Sequence, residues 1–193
     1  MTILVVGGGG REHAIIKKLK ENKSVSKIYA APGNGGIAQD AVCLDIGACE
    51  CEKIVQAAKD IQADLVVVAP DEPLVLGLVD LLEENGIRAF GPNKAAAIIE
   101  GSKAFSKQLM KKYDIPTASY EIFNDATKAL EYIRQQDTYP TVIKADGLAL
   151  GKGVIIAESY QQAADAVHSI MEDKIFGSSG NKIVIEEFLT GPE

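Results

Sequence analysis

Short runs of apolar residues alternate with segments of helical spacing through the first hundred residues. The strands predicted from these runs, at residues 3–6, 27–31, 64–69 and 87–90, are largely apolar and do not alternate with polar residues. Helices are predicted between them, at residues 11–19, 51–61 and 75–84. Strands that are apolar on both faces and alternate with helices are typical of a parallel sheet covered on both sides. The pattern therefore predicts an α/β domain with a Rossmann-like parallel sheet.

The pattern changes after about residue 100. Helices are predicted at residues 95–100, 102–113, 126–135 and 160–171, and strands at residues 119–123, 139–143, 154–157 and 182–189. We expect an N-terminal α/β substrate-binding domain at residues 1–101, a connecting helix at residues 102–122 and an α+β unit at residues 123–193. Because the chain stops just after a strand, it resembles a truncated protein more than one with a natural C-terminus.

The composition, 47% hydrophobic, is that of an ordinary soluble globular protein. A formal net charge of −7 argues against a protein that binds nucleic acid or an anionic membrane, because either would need basic patches. Three cysteines and two histidines are too few and too scattered for a zinc site, and they suit reduced thiols. The N-terminus enters a strand at once, with no basic or long apolar leader. We therefore expect a cytoplasmic protein.

A glycine-rich stretch from Lys144 to Val154 lies between two β-branched runs and predicts a hairpin with a mobile tip. Three glycines with two lysines indicate a loop whose backbone approaches an anion, for which phosphate is the usual candidate. The Walker A pattern fails, because only three residues separate Gly147 from Gly151 and a glycine follows Lys152. A flexible surface hairpin without a ligand is the alternative.

A second glycine run, at residues 7–10, separates the first strand from the first helix. It does not fit the dinucleotide pattern G-x-G-x-x-G, because Glu12 replaces the third glycine, and the second strand does not end in an acid for a ribose. A nicotinamide enzyme is therefore disfavoured. Free N–H groups at the helix N-terminus beside Arg11 suit a single phosphate or carboxylate. With the loops at residues 32–36 and 70–74, they predict a small-molecule site beyond the carboxyl ends of the strands.

Two carboxylates, Glu186 and Glu187, fall on opposite faces of the last predicted strand. A carboxylate at the end of a strand is usually solvated, so a binding role for either depends on independent evidence of a ligand. The same holds for Lys103, since most helix lysines are solvated.

An ordered set of motifs covers the whole chain. It comprises Gly9-Gly10-Arg11-Glu12-His13-Ala14, Pro32-Gly33-Asn34, Pro73-Leu74-Val75, Phe90-Gly91-Pro92, Glu100-Gly101-Ser102-Lys103, Lys144-Ala145-Asp146-Gly147-Leu148-Ala149 with Gly151-Lys152-Gly153-Val154, and Glu186-Glu187-Phe188-Leu189. The set resembles the phosphoribosylamine–glycine ligase family, also called glycinamide ribonucleotide synthetases, of the ATP-grasp superfamily. The resemblance implies a pre-ATP-grasp domain followed by the lid of a truncated ATP-grasp domain.

The resemblance also implies a reaction of de novo purine biosynthesis. ATP activates glycine as an acyl phosphate, the nitrogen of 5-phosphoribosylamine attacks it, and glycinamide ribonucleotide, ADP and phosphate result. Lys103 and Lys144 would hold ATP phosphates, residues 147–153 would form the lid, Glu186 would contact the adenine amino group, and Glu193 would hold the ribose. The implied ATP-binding residues are Lys103, Lys144, Gly147, Gly151, Lys152, Gly153, Glu186, Glu187, Phe188, Leu189 and Glu193.

The N-terminal loops would take 5-phosphoribosylamine, with its phosphate near residues 9–11. The implied substrate-binding residues are Gly9, Gly10, Arg11, Glu12, Pro32, Gly33, Asn34 and Glu72. The sequence departs from the family pattern at Asp71 and Glu72, because the family usually has Gly-Pro-Glu before the Pro-Leu segment.

The resemblance places no metal ligand within the chain, because the family's carboxylates for Mg²⁺ or Mn²⁺ and its glycine contacts would lie beyond residue 193. We therefore expect the chain by itself to be inactive. A non-catalytic nucleotide-binding or assembly module is the alternative function. The sequence does not predict the oligomeric state.

Overall fold

A computed structural model of the chain describes residues 1–149 and 152–191. The chain divides into two compact units, Met1–Ala97 and Ile98–Glu193, and each is described by itself. No helix in the described part of the chain is both long and apolar enough to cross a lipid bilayer.

The first unit is a five-stranded sheet in the order β3-β2-β1-β4-β5, in which every neighbouring pair is parallel. Its strands are β1 (Thr2–Gly7), β2 (Lys27–Pro32), β3 (Val42–Cys43), β4 (Leu65–Val68) and β5 (Ala89–Phe90). Its helices are α1 (Gly10–Lys20), α2 (Cys51–Asp60), α3 (Asp71–Leu76) and α4 (Leu78–Glu84). The boundary between the two units falls within α5 (Lys94–Gly101). The predicted parallel α/β sheet is confirmed.

The central strand β1 is buried on both faces, which explains its unbroken apolar sequence. Leu4 and Val6 pack on one side with α2 and α4, whereas Ile3 and Val5 pack on the other side with Ile16 of α1. Burying a side chain of this size stabilises the fold by about 1.5–3 kcal/mol relative to leaving it exposed. The two apolar layers fix the strand order and bring the carboxyl ends of β1, β2 and β4 to one edge.

Two segments that were each predicted as one continuous helix are interrupted in the structure. The segment predicted as one helix at residues 75–84 forms α3 and α4, separated by Gly77 at φ +96°, a left-handed conformation that glycine adopts without strain. The helix predicted at residues 160–171 is α-helical only at Tyr160–Val167 and ends in a π-helical turn at His168–Glu172. The apolar spacing continues through both breaks, so it could not reveal them.

The second unit contains an antiparallel sheet in the order β6-β9-β7-β8. Its strands are β6 (Tyr120–Phe123), β7 (Thr141–Ala145), β8 (Val154–Ala157) and β9 (Ile183–Glu187), and its helices are α6 (Lys103–Lys112), α7 (Ala126–Gln136) and α8 (Tyr160–Val167). The predicted hairpin is confirmed as β7 paired with β8. Residues of α7 and α8 pack against Ile143 and Ile185 on one face of this sheet. These two helices do not cover the other face.

Candidate functional site

The face of the antiparallel sheet opposite α7 and α8 carries both charge and exposed apolar surface. Lys144 is paired in register with Val184 and Val154, and Val142 with Glu186 and Ile156. Residues directly opposite in a sheet point to the same side, so these side chains share one face. Ile156 is 53% exposed and Val154 is 43% exposed. We call this surface the lysine face.

Glu186 is the centre of the lysine face and is only 5% exposed. Its Oε2 accepts from Lys144 Nζ at 2.8 Å and is 3.1 Å from Lys107 Nζ. Its Oε1 is buried and has no hydrogen-bond partner among the described residues. A buried polar atom without a partner is rare in folded proteins because desolvation is not offset. Oε1 is therefore a candidate acceptor for a ligand donor.

Glu187, the next residue of β9, differs from Glu186 in burial and in hydrogen-bond partner. Its side chain is exposed and accepts a hydrogen bond from the backbone N–H of Ser119 at 2.8 Å, which holds the pKa of the carboxyl below its ordinary value. The general expectation that carboxylates at strand ends are solvated therefore holds for Glu187 and is wrong for Glu186.

Lys103 at the start of α6 is bound to the base of the glycine-rich loop. Its Nζ donates to the carbonyl oxygens of Ala145 at 3.0 Å and Gly147 at 2.7 Å. Burial lowers the pKa of Lys103, because the charged ammonium loses hydration, while the charge of Asp146 acts in the opposite direction. Lys103 thus lies beside the loop, and its ammonium already contacts two carbonyl groups; its proposed role at ATP phosphates stays a prediction.

Asp146 ties the same loop to the N-terminus of α6. Its Oδ1 accepts from the backbone N–H of Ala104 at 3.0 Å, and the hydroxyl of Ser102 donates to the carboxylate at 3.1 Å. Lys182 lies 3.8 Å from the other oxygen. An anion at a helix N-terminus satisfies a free N–H group and interacts favourably with the helix dipole. Asp146 therefore fixes the start of the loop on α6.

The glycine-rich loop is described except at residues 150 and 151. Gly153 is buried and its carbonyl accepts from Ala145 N at 2.8 Å, whereas Lys152 is exposed. Two of the residues expected to bind ATP, Gly151 and Glu193, lie outside the described residues. A groove of about 390 Å³ lies between the C-terminal half of α7 and the end of β9. It is lined by Tyr132, Ile133 and Gln136 on one side and by Glu186, Glu187 and Phe188 on the other. Leu189 follows with an exposed side chain.

In the first unit, the loops after β1 and β2 are packed directly together. Gly33 N donates to Gly7 O at 3.1 Å, and Asn34 Nδ2 donates to Gly8 O at 2.7 Å. A Cβ on Gly8 would lie 2.6 Å from the carbonyl oxygen of Gly33, so glycine is required by close backbone approach. The two loops that the sequence marked as candidates thus form one edge, with Pro32 exposed beside them.

At the N-terminus of α1, the candidate residues divide into exposed and buried ones. Gly9, Gly10 and Arg11 are exposed, whereas Glu12 is buried and accepts from the backbone N–H of Gly9 at 2.5 Å. Glu12 therefore caps its own helix, and the structure gives this carboxylate a local partner. The N–H groups of the following turn and the Arg11 side chain are those available to an anion.

The loop after β4 reaches the same edge. A Cβ on Gly7 would lie 2.9 Å from the ring of Pro70, which is the N-cap of α3. Glu72 is exposed and faces Cys49, whose thiol pKa is raised to about 11, first by burial and then by the negative charge of Glu72. The carboxyl ends of β1, β2 and β4 therefore present their candidate residues together.

No group of three or more His, Cys, Asp or Glu side chains among the described residues could hold a metal ion.

Several of these interactions had not been predicted from the sequence. Among them are the contact of Lys107 with Glu186 and the anchoring of α6 by Asp146, together with the hydrogen bond of His13 Nε2 with Asp40 Oδ2 at 2.8 Å. Lys107 lies four residues after Lys103, so both project from the same side of α6. This four-residue spacing is the feature of the sequence from which a contact of Lys107 near Lys103 could have been predicted.

Known protein families match both units. Residues 1–100 match the family described as phosphoribosylglycinamide synthetase, N domain, and residues 101–193 match phosphoribosylglycinamide synthetase, ATP-grasp (A) domain. The phosphoribosylamine–glycine ligases of Clostridium acetobutylicum and Caldanaerobacter subterraneus are each 48% identical over 193 residues. These alignments cover 100% of this chain and 46% of each relative. The chain thus spans less than half the length of these curated relatives.

Solved structures agree with the fold. A phosphoribosylamine–glycine ligase from Thermotoga maritima has a TM-score of 0.81 and 32% identity, over 100% of this chain and 45% of that one. N5-carboxyaminoimidazole ribonucleotide synthetase from Thermotoga maritima has a TM-score of 0.70 and 22% identity, over 97% of this chain and 46% of that one. The second likeness supports the fold alone.

Proposed function

The chain belongs to the phosphoribosylglycinamide synthetase family, and from this we propose that it forms the ATP-binding and phosphoribosylamine-binding part of a phosphoribosylamine–glycine ligase. The reaction proposed for the whole protein joins glycine to 5-phosphoribosylamine and converts ATP to ADP and phosphate. The family is a ligase family of purine biosynthesis, and this chain covers its N-terminal portion.

The observation that carries the proposal is the buried Glu186 carboxylate, whose Oε1 has no partner in the described part of the chain, on one sheet face with Lys144 and the exposed side chains of Val154 and Ile156. An adenine amino group donates hydrogen bonds, so it would satisfy Oε1. Exposed Ile156 and Val154 offer the apolar contact that a base requires. Lys144 supplies a positive charge for a phosphate.

Two further lysines and the loop complete the proposed nucleotide site. Lys103 and Lys152 would approach the phosphates, and the backbone from Glu187 to Leu189 would line the base. The glycine-rich loop would cover the nucleotide and exclude water, which strengthens the interaction between lysine and phosphate because the local dielectric falls.

In the first unit we place the phosphate of 5-phosphoribosylamine near Gly9, with the N–H groups of Gly10 and Arg11 and the Arg11 side chain as its donors, because the N–H of Gly9 already donates to Glu12. Pro32, Gly33, Asn34 and Glu72 would surround the sugar. Glu12 acts through the helix cap and would hold Gly9 in place.

The proposed chemistry depends on positioning and charge neutralisation, since the amine of the substrate is itself the nucleophile. Mg²⁺ or Mn²⁺ would neutralise phosphate charge when bound, and we assign its ligands and those of glycine to parts of the protein outside the described residues. A cytoplasmic location suits such an enzyme and the free cysteines Cys43, Cys49 and Cys51.

Calorimetric titration of this chain with ADP and with adenosine tests the nucleotide site. We expect saturable binding of both ligands, with ADP bound more tightly. Lys144→Met should weaken ADP binding about tenfold, the usual effect of losing one charged contact. Lys128→Met is the matched control, because Lys128 is exposed on α7, which covers the opposite face of the sheet. Absence of binding at millimolar ligand would refute the site.

An activity assay tests whether this chain alone contains all the groups that the reaction requires. The chain alone should show no ATP hydrolysis that depends on glycine and 5-phosphoribosylamine. Such hydrolysis would contradict the assignment of glycine and metal contacts to other parts of the protein, whereas ADP binding without turnover in any longer form of the protein would favour a non-catalytic nucleotide-binding module.

A further inference from the structure

Two lysines contact the same oxygen of Glu186, but their surroundings differ. The side chain of Lys107 is 9% exposed, and that of Lys144 is 26% exposed. Lys107 also donates to Thr117 Oγ1 at 2.7 Å and to Ala118 O at 3.4 Å, and its Nζ lies 5.5 Å from the centre of the Tyr120 ring. Among the described residues, the only hydrogen-bond partner of Lys144 Nζ is Glu186.

Two hydrogen bonds, an ion pair and an aromatic ring therefore hold the ammonium of Lys107 within the protein. Moving its ammonium would break contacts with α6's neighbouring segment at residues 117–118 as well as with Glu186. Lys144 can move at the cost of one contact, and it stands at the edge of exposed surface. Lys107 is therefore the fixed lysine and Lys144 the movable one.

We propose that Lys107 is a positioning residue that acts as the permanent counter-ion of Glu186 and so frees Lys144 to bind the phosphates of a nucleotide. A buried carboxylate without a cation is strongly disfavoured. If Lys144 were the only cation, phosphate binding would require it to abandon Glu186, and that cost would reduce affinity. With Lys107 in place, Glu186 remains paired after Lys144 leaves.

The inference rests on the proposed nucleotide site and goes beyond it, because no ligand contact is assigned to Lys107. It differs from a purely structural role in one respect. A structural lysine would affect adenosine and ADP alike, whereas a counter-ion that frees Lys144 affects only ligands with phosphates.

The experiment is a titration of the 193-residue chain and its variants with ADP and adenosine. Lys107→Met should weaken ADP binding about tenfold and leave adenosine binding within about twofold, because Lys144 stays on Glu186. Lys111→Met is the control, as Lys111 is exposed one turn further along α6.

A second variant separates the charge from the fold. Lys107→Met combined with Glu186→Gln removes the charge that traps Lys144, so the ratio of adenosine to ADP dissociation constants should return to within about twofold of the wild-type ratio. Folding of each variant is checked by far-UV circular dichroism. This rescue is not expected for a structural lysine.

The outcomes are distinct. Equal losses for ADP and adenosine in Lys107→Met, or unchanged ADP binding, would overturn the role of Lys107 while leaving the nucleotide site in place. Failure of both Lys107 variants to fold would assign Lys107 to the structure alone and would also overturn the inference. If the wild-type chain binds no ADP, the proposed function fails, and the inference fails with it.

Discussion

Replacing Asp146 should destabilise the second unit more than replacing an ordinary helix cap. Asp146 is 13% exposed in its side chain, accepts from Ala104 N at 3.0 Å and from the Ser102 hydroxyl, and lies 3.8 Å from Lys182. A hydrogen bond to a charged group contributes about 1.5–3 kcal/mol, and the half-exposed Lys182 contact adds under about 1 kcal/mol. Asp146→Ala should therefore cost about 3 kcal/mol of the free energy of unfolding.

Asp125→Ala is the matched control for this substitution. Asp125 caps α7 by accepting from Lys128 N at 2.9 Å, but it is exposed. Its loss should cost about 1 kcal/mol, as for a typical N-cap. Asp146→Asn keeps an oxygen that can accept from Ala104 N, so its free energy of unfolding should lie between those of Asp146→Ala and Asp125→Ala.

Urea denaturation followed by far-UV circular dichroism gives the free energies, and hydrogen exchange of the Ala104 amide gives the local effect. In Asp146→Ala that amide should exchange faster than in wild type by more than the change in global stability explains. An Asp146→Ala variant no less stable than Asp125→Ala would refute the anchoring role, as would unchanged exchange at Ala104.

Three further predictions concern the two units. Gly8→Ala should destabilise the first unit by about 1–3 kcal/mol in urea denaturation, because its Cβ would meet the backbone of Gly33. Gly10→Ala is the control and should be tolerated, because nothing lies within 4 Å of its Cβ. Equal stabilities of the two variants would contradict the close packing of Gly8 against Gly33. Hydrogen bonds from Lys20 and then His13 lower the pKa of Asp40 to about 2, below the unfolded value of about 3.9. The stabilisation by the Asp40 carboxylate is present above pH 4 and is lost as the pH falls through about 2. The difference in melting temperature between wild type and Asp40→Asn should therefore disappear between about pH 4 and pH 2 and stay constant at higher pH. Lys144→Met should leave the melting temperature close to that of wild type, because Lys107 still pairs with Glu186; unfolding of this variant would show that Lys144 is a core contact.

The strands and the order of helices were predictable because burial imposes a local pattern. The unbroken apolar sequence of β1 follows from packing on both faces, and the β-branched runs on either side of the glycine-rich loop follow from the hairpin. The break at Gly77 was not predicted, because apolar spacing persists through it and a positive φ leaves no trace beyond the glycine itself.

The candidate site was predicted as a set of residues but not as an arrangement. The motifs located Lys103, Lys144 and Glu186, yet their partners are distant in the chain. Ala104 N and Asp146 are 42 residues apart, and His13 and Asp40 are 27 apart. Such pairings depend on how the sheet and helices pack, which hydrophobic periodicity does not specify. Lys107 was overlooked for this reason, since a helix lysine is ordinarily solvated.

The lysine face as the nucleotide site is the central claim, and backbone amide NMR of the isotopically labelled chain during titration with ADP tests it most directly. We predict saturable shift changes concentrated at Lys144, at Ile156 and along residues 186–189, with little change on α7. Changes confined to α7 and α8, or to the loops of the first unit, would contradict the assignment, as would the absence of any change at millimolar ADP.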